Sequence, residues 1–482
     1  MTNSEISPQI DTGVHPADHG YQRGLSARTV QMIAIGGAIG TGLFYGSGGA
    51  IEKAGPALIL AYFVAGLAVF VIMRALGELL VYRPASGSVS EYAEEFLGRF
   101  AGFANGWTYW VVWVTTCMAE ITVAGRYVEY WWPMIPQWVT ALVVLVVLFA
   151  ANLISVSLFG EAEFWFSMIK VTAIIAMILI GIAVLLPFTG LAPDHGATVA
   201  NLWNHPGPGK EHTVFNGIFP MGVGTALLSL QIVVFAYAGV ELVGVTAGEA
   251  VNPKTTLRRA INSLPLRIGL FYVGALVVIL SVRGWWNFHA GKSPFVEVFQ
   301  HLHIPGAAGI VNFILLTAAL SSCNSGVYST GRMLRSLAHR NDAPAGLQAL
   351  SRRQVPMLAI CLSTLVMLIG VLINWLSPDQ AFTYITSVTT MGFIFVWGSI
   401  LVSHIIYRRR VAAGLLPASD YRLPGAPYTN ILALAFLALV VILLFFTADG
   451  RTAMVVGLFW SAIVVLGYFI KHGEWSNDRT TT

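Results

Sequence analysis

Charge is what this chain has least of. Of its 482 residues, 10% are charged and 56% are hydrophobic. A water-soluble domain carries about 25% charged residues, so this chain cannot cover a water-facing surface. Its mean hydropathy of +0.72 agrees. The composition disfavours a disordered protein, a nucleic-acid binder and a soluble enzyme together. Cysteine is also scarce. Cys117, Cys323 and Cys361 fall in apolar stretches and have neither a disulfide framework nor metal-site spacing. No cleavable leader is expected: residues 1–22 are polar, with Asp11, His15, Asp18 and His19, and show no apolar centre. The short alternating strands of an outer-membrane barrel are missing too. No His, Cys and carboxylate cluster has metal or nucleophile spacing, so no metal, cofactor or enzymatic activity is expected.

Long apolar runs are what remains. A membrane-crossing helix needs about 20 apolar residues. Twelve segments qualify, near 29–50, 57–80, 101–131, 138–157, 163–187, 219–245, 262–282, 306–330, 357–376, 380–407, 429–447 and 452–471. They predict an all-α integral membrane protein with 12 transmembrane helices, embedded in the lipid bilayer. The expected organisation is a tail over 1–22, one membrane domain over 23–475 and a second tail over 476–482.

With the N-terminus taken as cytoplasmic, nineteen of the 27 Lys and Arg residues fall on the inside and six on the outside. Arg74 and Lys170 lie within spans. This bias predicts that both termini are cytoplasmic. Trp285, Trp286 and Phe288 in the 284–305 connection predict a short interfacial helix or re-entrant piece.

Two spans are unlike the others. The first reads Ile35-Gly36-Gly37-Ala38-Ile39-Gly40-Thr41-Gly42-Leu43-Phe44. Each mid-helix glycine costs about 1 kcal/mol relative to alanine. The sixth reads Phe235-Ala236-Tyr237-Ala238-Gly239-Val240-Glu241, with glycine close to a carboxylate. Interruptions at corresponding positions of two halves point to a secondary transporter with inverted repeats. Irregular backbone is tolerated in a bilayer where it lines a cavity. Freed N–H groups suit a carboxylate and freed carbonyls suit an ammonium, so two facing breaks can hold a zwitterion. The alternative is close helix packing, since Gly36 and Gly40 have GxxxG spacing.

At these residues the chain resembles the amino acid–polyamine–organocation superfamily, and within it the bacterial amino acid transporter family. The resemblance runs from about Gly24 to Tyr468. It is carried by residues 32–44, by Ala75-Leu76-Gly77-Glu78, by Phe159-Gly160-Glu161-Ala162-Glu163-Phe164-Trp165-Phe166 with Ile169-Lys170, and by Glu241 with Ala247-Gly248-Glu249. Arg259-Ala260-Ile261-Asn262-Ser263, Ser293-Pro294-Phe295 and Leu320-Ser321-Ser322-Cys323-Asn324-Ser325 extend it. It implies a LeuT-type fold: a first repeat over about 29–187, an inverted second repeat over about 219–407, and two extra helices over about 429–471. It also implies uptake of an amino acid substrate across the cytoplasmic membrane, with a proton as coupling ion. Local cues to the substrate conflict. The stretch 118–122 is similar to aromatic permeases, Leu202-Trp203 to the D-alanine/glycine group, and 83–88 to asparagine permeases. The expectation is therefore a neutral amino acid.

The resemblance assigns Ile39, Gly40, Thr41 and Gly42 to the substrate carboxylate. It assigns the carbonyls of Phe235, Ala236 and Ala238 to the ammonium. Gly42→Val is expected to block binding without preventing insertion. Glu120, deep in the third span, is expected either to contact substrate or to form a structural ion pair. Glu241 is expected to gate or to exchange a proton, or else to fix the broken helix, since an intramembrane carboxylate is a functional candidate by default. Lys170 stands where sodium-coupled members of the superfamily hold their ion. It is expected to couple transport to protons, or to pair with Glu161 or Glu163. Arg74 and Glu78 have i,i+4 spacing and are expected to pair; His404 is expected to be structural. Beside proton-coupled import stand an exchanger or exporter on the same fold and a non-transporting receptor. The oligomeric state has no signal in the sequence.

Overall fold

The structure, a computed structural model, describes residues 32, 39–83, 88–154, 156–186, 196–206, 213–215, 217–245 and 253–473. Positions 36–38 of the glycine-rich stretch, the 247–249 motif and both predicted tails (1–22 and 476–482) lie outside the described residues.

The described chain is built of helices, with one two-stranded ribbon. Ile39 and Gly40 form a bend, and helix begins at Thr41. A π-helical turn, Gly42–Gly46, leads into α1, Ser47–Ala54. Then follow α2, Ala57–Tyr82; α3, Ser88–Leu97; α4, Arg99–Glu129; α5, Gln137–Ile154; and α6, Val156–Leu185. Strands β1, Asn204–Pro206, and β2, Thr213–Phe215, pair antiparallel. The sixth predicted span is divided into α7, Gly222–Leu228, α8, Leu230–Ala236, and α9, Leu242–Val245. The seventh contains α10, Pro253–Asn262, α11, Leu264–Arg267, a second π-helical turn, Ile268–Gly274, and α12, Ala275–Val282. After it come α13, Pro294–His301; α14, Ala307–His339; α15, Met357–Leu376; α16, Ala381–Ala412; α17, Tyr428–Leu444; and α18, Ala448–His472. The Trp-rich connection holds a 3-10 turn, Trp285–Asn287, and then α13.

Among the described residues, seven helical segments are long and apolar enough to cross a membrane, and three apolar helices are shorter. Leu60, Phe63, Val64 and Leu67 on α2 are exposed, as are Leu458, Phe459, Leu466 and Ile470 on α18. Apolar surface on this scale calls for lipid, since water-soluble monomers keep such patches small. Helix α4 is long enough to cross but is less apolar, with Arg99, Glu120, Arg126 and Glu129. It is the inner post of the fold. It packs against α3, α5, α14, α15 and α16, and most of its residues are buried. Protein neighbours, rather than lipid, solvate its polar groups.

Candidate functional site

The two irregular spans meet backbone to backbone. A Cβ at Gly42 would lie 2.5 Å from Ala236 Cα and 2.9 Å from Ala236 N. Only glycine permits this approach, so the space beside Gly42 belongs to α8. On its other side, Ala236 offers its carbonyl to Tyr272, whose hydroxyl donates at 3.2 Å from the second π-helical turn. Both π turns carry the same Gly-Leu-Phe-Tyr sequence, at 42–45 and 269–272, and they flank Ala236. Beyond Ala236 the chain leaves helical geometry over 237–241. Gly239 has φ +94°, a conformation few other residues adopt.

The carbonyls predicted to meet an ammonium are partly engaged. Phe235 O accepts from Ala238 N at 2.9 Å, and Ala236 O accepts from Tyr272. A carbonyl has two lone pairs, so each keeps one. Tyr237 turns away from this group. Its hydroxyl donates to Tyr62 O at 2.8 Å and its ring stacks on Tyr272 at 4.6 Å.

Buried ionisable groups gather beside the start of the first helix. Thr41 N donates to Glu120 Oε1 at 3.4 Å. Glu120 is buried, and its Oε2 has no hydrogen-bond partner; neither has Thr41 Oγ1. A Cβ at Gly40 would sit 2.7 Å from Glu120 Oε1 and 3.3 Å from Ser322 Oγ. Gly40 therefore gives that carboxylate room to reach Thr41. Behind Glu120 stands Lys170 of α6, fully buried, with Glu163 and Glu120 as its electrostatic partners. Glu163, Ser167 and Lys170 lie three and four residues apart on α6 and share one face. Glu163 also accepts from Ser321 Oγ, at 2.9 and 2.8 Å, and from Ser167 Oγ at 3.5 Å. The structure thus brings together Gly40, Thr41, Glu120, Lys170 and Glu163. Ser321 and Ser322 complete the group. In the sequence they stand only within the resemblance, because serine in a helix has no distinctive signal.

Glu241 belongs elsewhere. Its Oε1 accepts from Tyr109 OH at 3.3 Å, and its Oε2 has no partner. Tyr109 is eleven residues before Glu120 on α4, about 16 Å along the axis.

A cavity of about 450 Å³ is lined by Tyr45, Gly46 and Phe382, with Glu52, Lys53, Asp379 and Asp449 in its walls. It stops short of every residue assigned to substrate. Between lies an aromatic layer. Phe382 packs edge-on against Tyr45 at 5.0 Å and Phe235 at 6.0 Å.

The expected Arg74–Glu78 pair is replaced by tertiary partners. Arg74 donates to Asn262 Oδ1 at 3.0 Å and stacks on Tyr421, with its guanidinium carbon 3.8 Å from the ring centre. Glu78, fully buried, accepts from His404 at 2.9 Å, Arg408 at 3.1 Å and Leu423 N at 2.6 Å. Helical spacing brings two residues to one face, but partners from α16 and the 413–427 connection approach Glu78 more closely. His404 is no isolated histidine; it ties α2 to α16 and, through Asn430 at 3.0 Å, to α17.

These features define a multi-pass helical membrane protein whose inner helices carry a buried polar group beside two irregular spans. The chain belongs to the amino acid permease family, whose family model matches residues 29–480. It is similar to the amino-acid permease AapA of Bacillus subtilis, 44% identical over 450 residues, 93% of this chain and 95% of the relative. It is similar to the L-asparagine permease of Streptomyces coelicolor, 43% identical over 473 residues, 95% and 93% of the two chains. The D-serine/D-alanine/glycine transporter of Escherichia coli is 42% identical over 455 residues, 94% of each. Membership makes the chain a permease rather than an enzyme.

Proposed function

We propose that this permease imports a small neutral amino acid across the cytoplasmic membrane by proton symport. The transport unit would be twelve helices in two inverted five-helix repeats plus two, with both termini in the cytoplasm. The Lys and Arg asymmetry supports that orientation. Alternating access would turn on the irregular stretches at 39–42 and 235–241, with Glu241 gating the cytoplasmic side. The α-carboxylate would bind the N–H and hydroxyl of Thr41 with its neighbours Ile39, Gly40 and Gly42. The ammonium would bind the remaining lone pairs of the Phe235, Ala236 and Ala238 carbonyls.

One observation carries the reading: Thr41 Oγ1 and Glu120 Oε2 are buried polar atoms without partners at the irregular start of a helix. Such atoms are rare unless they serve a ligand. The small residues around them, Gly40, Gly42 and Ala236, favour a small substrate. So do relatives named for asparagine and for D-serine, D-alanine and glycine. Lys170 supports protons over sodium, because a buried ammonium supplies the charge that sodium would bring.

The test is competition for uptake into proteoliposomes by glycine, L-serine, D-serine, L-asparagine, L-phenylalanine, L-arginine and L-glutamate, and by carboxamide analogues of the best competitors. Small neutral amino acids should compete, while their carboxamides should lose at least tenfold. Equal competition by the carboxamides would refute the carboxylate site. Competition by arginine or glutamate alone would refute the neutral substrate.

A further inference from the structure

Glu120 presents to Thr41 the same functional group that the substrate would bring. Its Oε1 accepts from Thr41 N at 3.4 Å, the N–H proposed above for the substrate's carboxylate. Two carboxylates cannot share one N–H at close range, because like charges in a buried site repel strongly. We infer that Glu120 is an internal stand-in for the substrate's carboxylate, and that substrate displaces it from Thr41 only when Glu120 is protonated. The inference rests on the reading that the α-carboxylate binds at Thr41.

The surroundings support it. Gly40 is the residue that admits the Glu120 carboxylate, since a Cβ there would lie 2.7 Å from Oε1. Ser322, whose hydroxyl already interacts with the Glu120 carboxyl, can hold it in its protonated form once it leaves Thr41. The groups that face Glu120 are Lys170 from α6 and, on its own helix, Cys117 and Tyr127. Glu163 stands behind Lys170 and faces the same ammonium. Among the described residues, one cation therefore faces two carboxylates, which leaves one negative charge in excess among these three groups. A proton on Glu120 removes that excess, and a zwitterionic substrate adds no net charge. Proton and substrate thus favour each other's binding, and the coupling is reciprocal. When the proton leaves to the cytoplasm, Glu120 regains its charge, retakes Thr41 N–H and expels the substrate carboxylate.

The experiment measures substrate affinity against pH, and protons taken up per substrate bound, by calorimetry in buffers of differing ionisation heat. The probe is the best competitor of the panel above, bound to purified folded protein. The wild type should take up about one proton per substrate, and its Kd should rise by up to about tenfold per pH unit on the alkaline side. Glu120→Gln should bind at the wild type's acid-limit affinity, flat with pH and without proton uptake. Glu120→Asp, one methylene shorter, should reduce the proton linkage although the charge remains. Weaker binding of Glu120→Gln at acid pH would overturn the inference, since Glu120 would then be a substrate ligand. Proton uptake near one in Glu120→Gln would overturn it as well, since another group would carry the proton. If Glu120→Gln does not fold, Gly40→Ala pushes Oε1 away from Thr41 and should flatten the pH profile; an unchanged profile overturns the inference. Carboxamide analogues binding the wild type as tightly as the acids would instead sink the carboxylate site itself.

Discussion

At the scale of single residues, the informative ones are those a bilayer penalises. Lys170 and Glu120 stand out in the sequence because charge within a span is costly. Of their partners, Glu163 is one of the two carboxylates expected beside Lys170, while the hydroxyls do not stand out. Glu163 is seven positions from Lys170, and Ser321 lies on another helix 158 residues beyond Glu163. Packing of α6 against α14 sets those contacts, and no local pattern encodes them. Lys170→Ala should fold and exchange substrate but lose accumulation driven by a pH gradient, by at least tenfold; equal loss of folding and both activities would make Lys170 structural. Gly42 shows the reverse case. Its position is legible as special from the glycine cluster, but the reason is a neighbouring backbone that no spacing rule reveals. Gly42→Val should destabilise the protein by about 1–3 kcal/mol or more, because a Cβ meets Ala236 main chain that no rotamer can avoid. A thermal-unfolding midpoint equal to the wild type would contradict that packing.

At the scale of elements, some helix boundaries follow the hydropathy pattern closely and others do not: α14 runs to His339, nine residues past the expected end at 330. The expected span 357–376 is α15 and 57–80 is α2, extended by two residues. Apolar length and flanking turns suffice for this. The turn at 237–241 is also legible, from Gly239 beside Glu241. The two π turns are not, since Gly-Leu-Phe-Tyr forms ordinary helix as readily. Nor is the true environment of Glu78, because tertiary contacts with His404 and Arg408 override its i,i+4 neighbour.

The β1–β2 ribbon carries a pH-sensitive tie. His205 Nδ1 faces Trp285 Nε1 at 2.8 Å, and indole only donates. The proton therefore sits on Nε2, which donates to Gly217 O at 2.9 Å. Burial pushes His205 below the ordinary imidazole value near 6.5. The fold thus favours neutral His205. Its stabilising share is present above about 6.5 and is lost as pH falls through the lower folded value. Thermal stability measured downward from pH 7 should fall, and His205→Gln should fall less, because an amide can accept from Trp285 and donate to Gly217 without titrating. Parallel curves would place the acid sensitivity elsewhere.

At the scale of the whole molecule, the excess of apolar residues and the scarcity of charge become one arrangement. Exposed leucines, isoleucines, valines and phenylalanines face outward on α2, α15 and α18, while Glu120 of α4, Glu163 and Lys170 form a buried charged group inside. A permease of this design needs little more. Lipid supports the outside, and on the reading proposed above a small polar centre inside would select a zwitterion and bind a proton beside it. The central claim is that the proton gradient drives amino acid accumulation. The direct measurement loads sodium-free proteoliposomes at neutral pH, dilutes them into acidic medium, and follows a radiolabelled amino acid found to compete in the uptake panel. Accumulation above the outside concentration that collapses on adding a protonophore is the predicted result. Equilibration without accumulation, or accumulation only when sodium is supplied, would contradict the account.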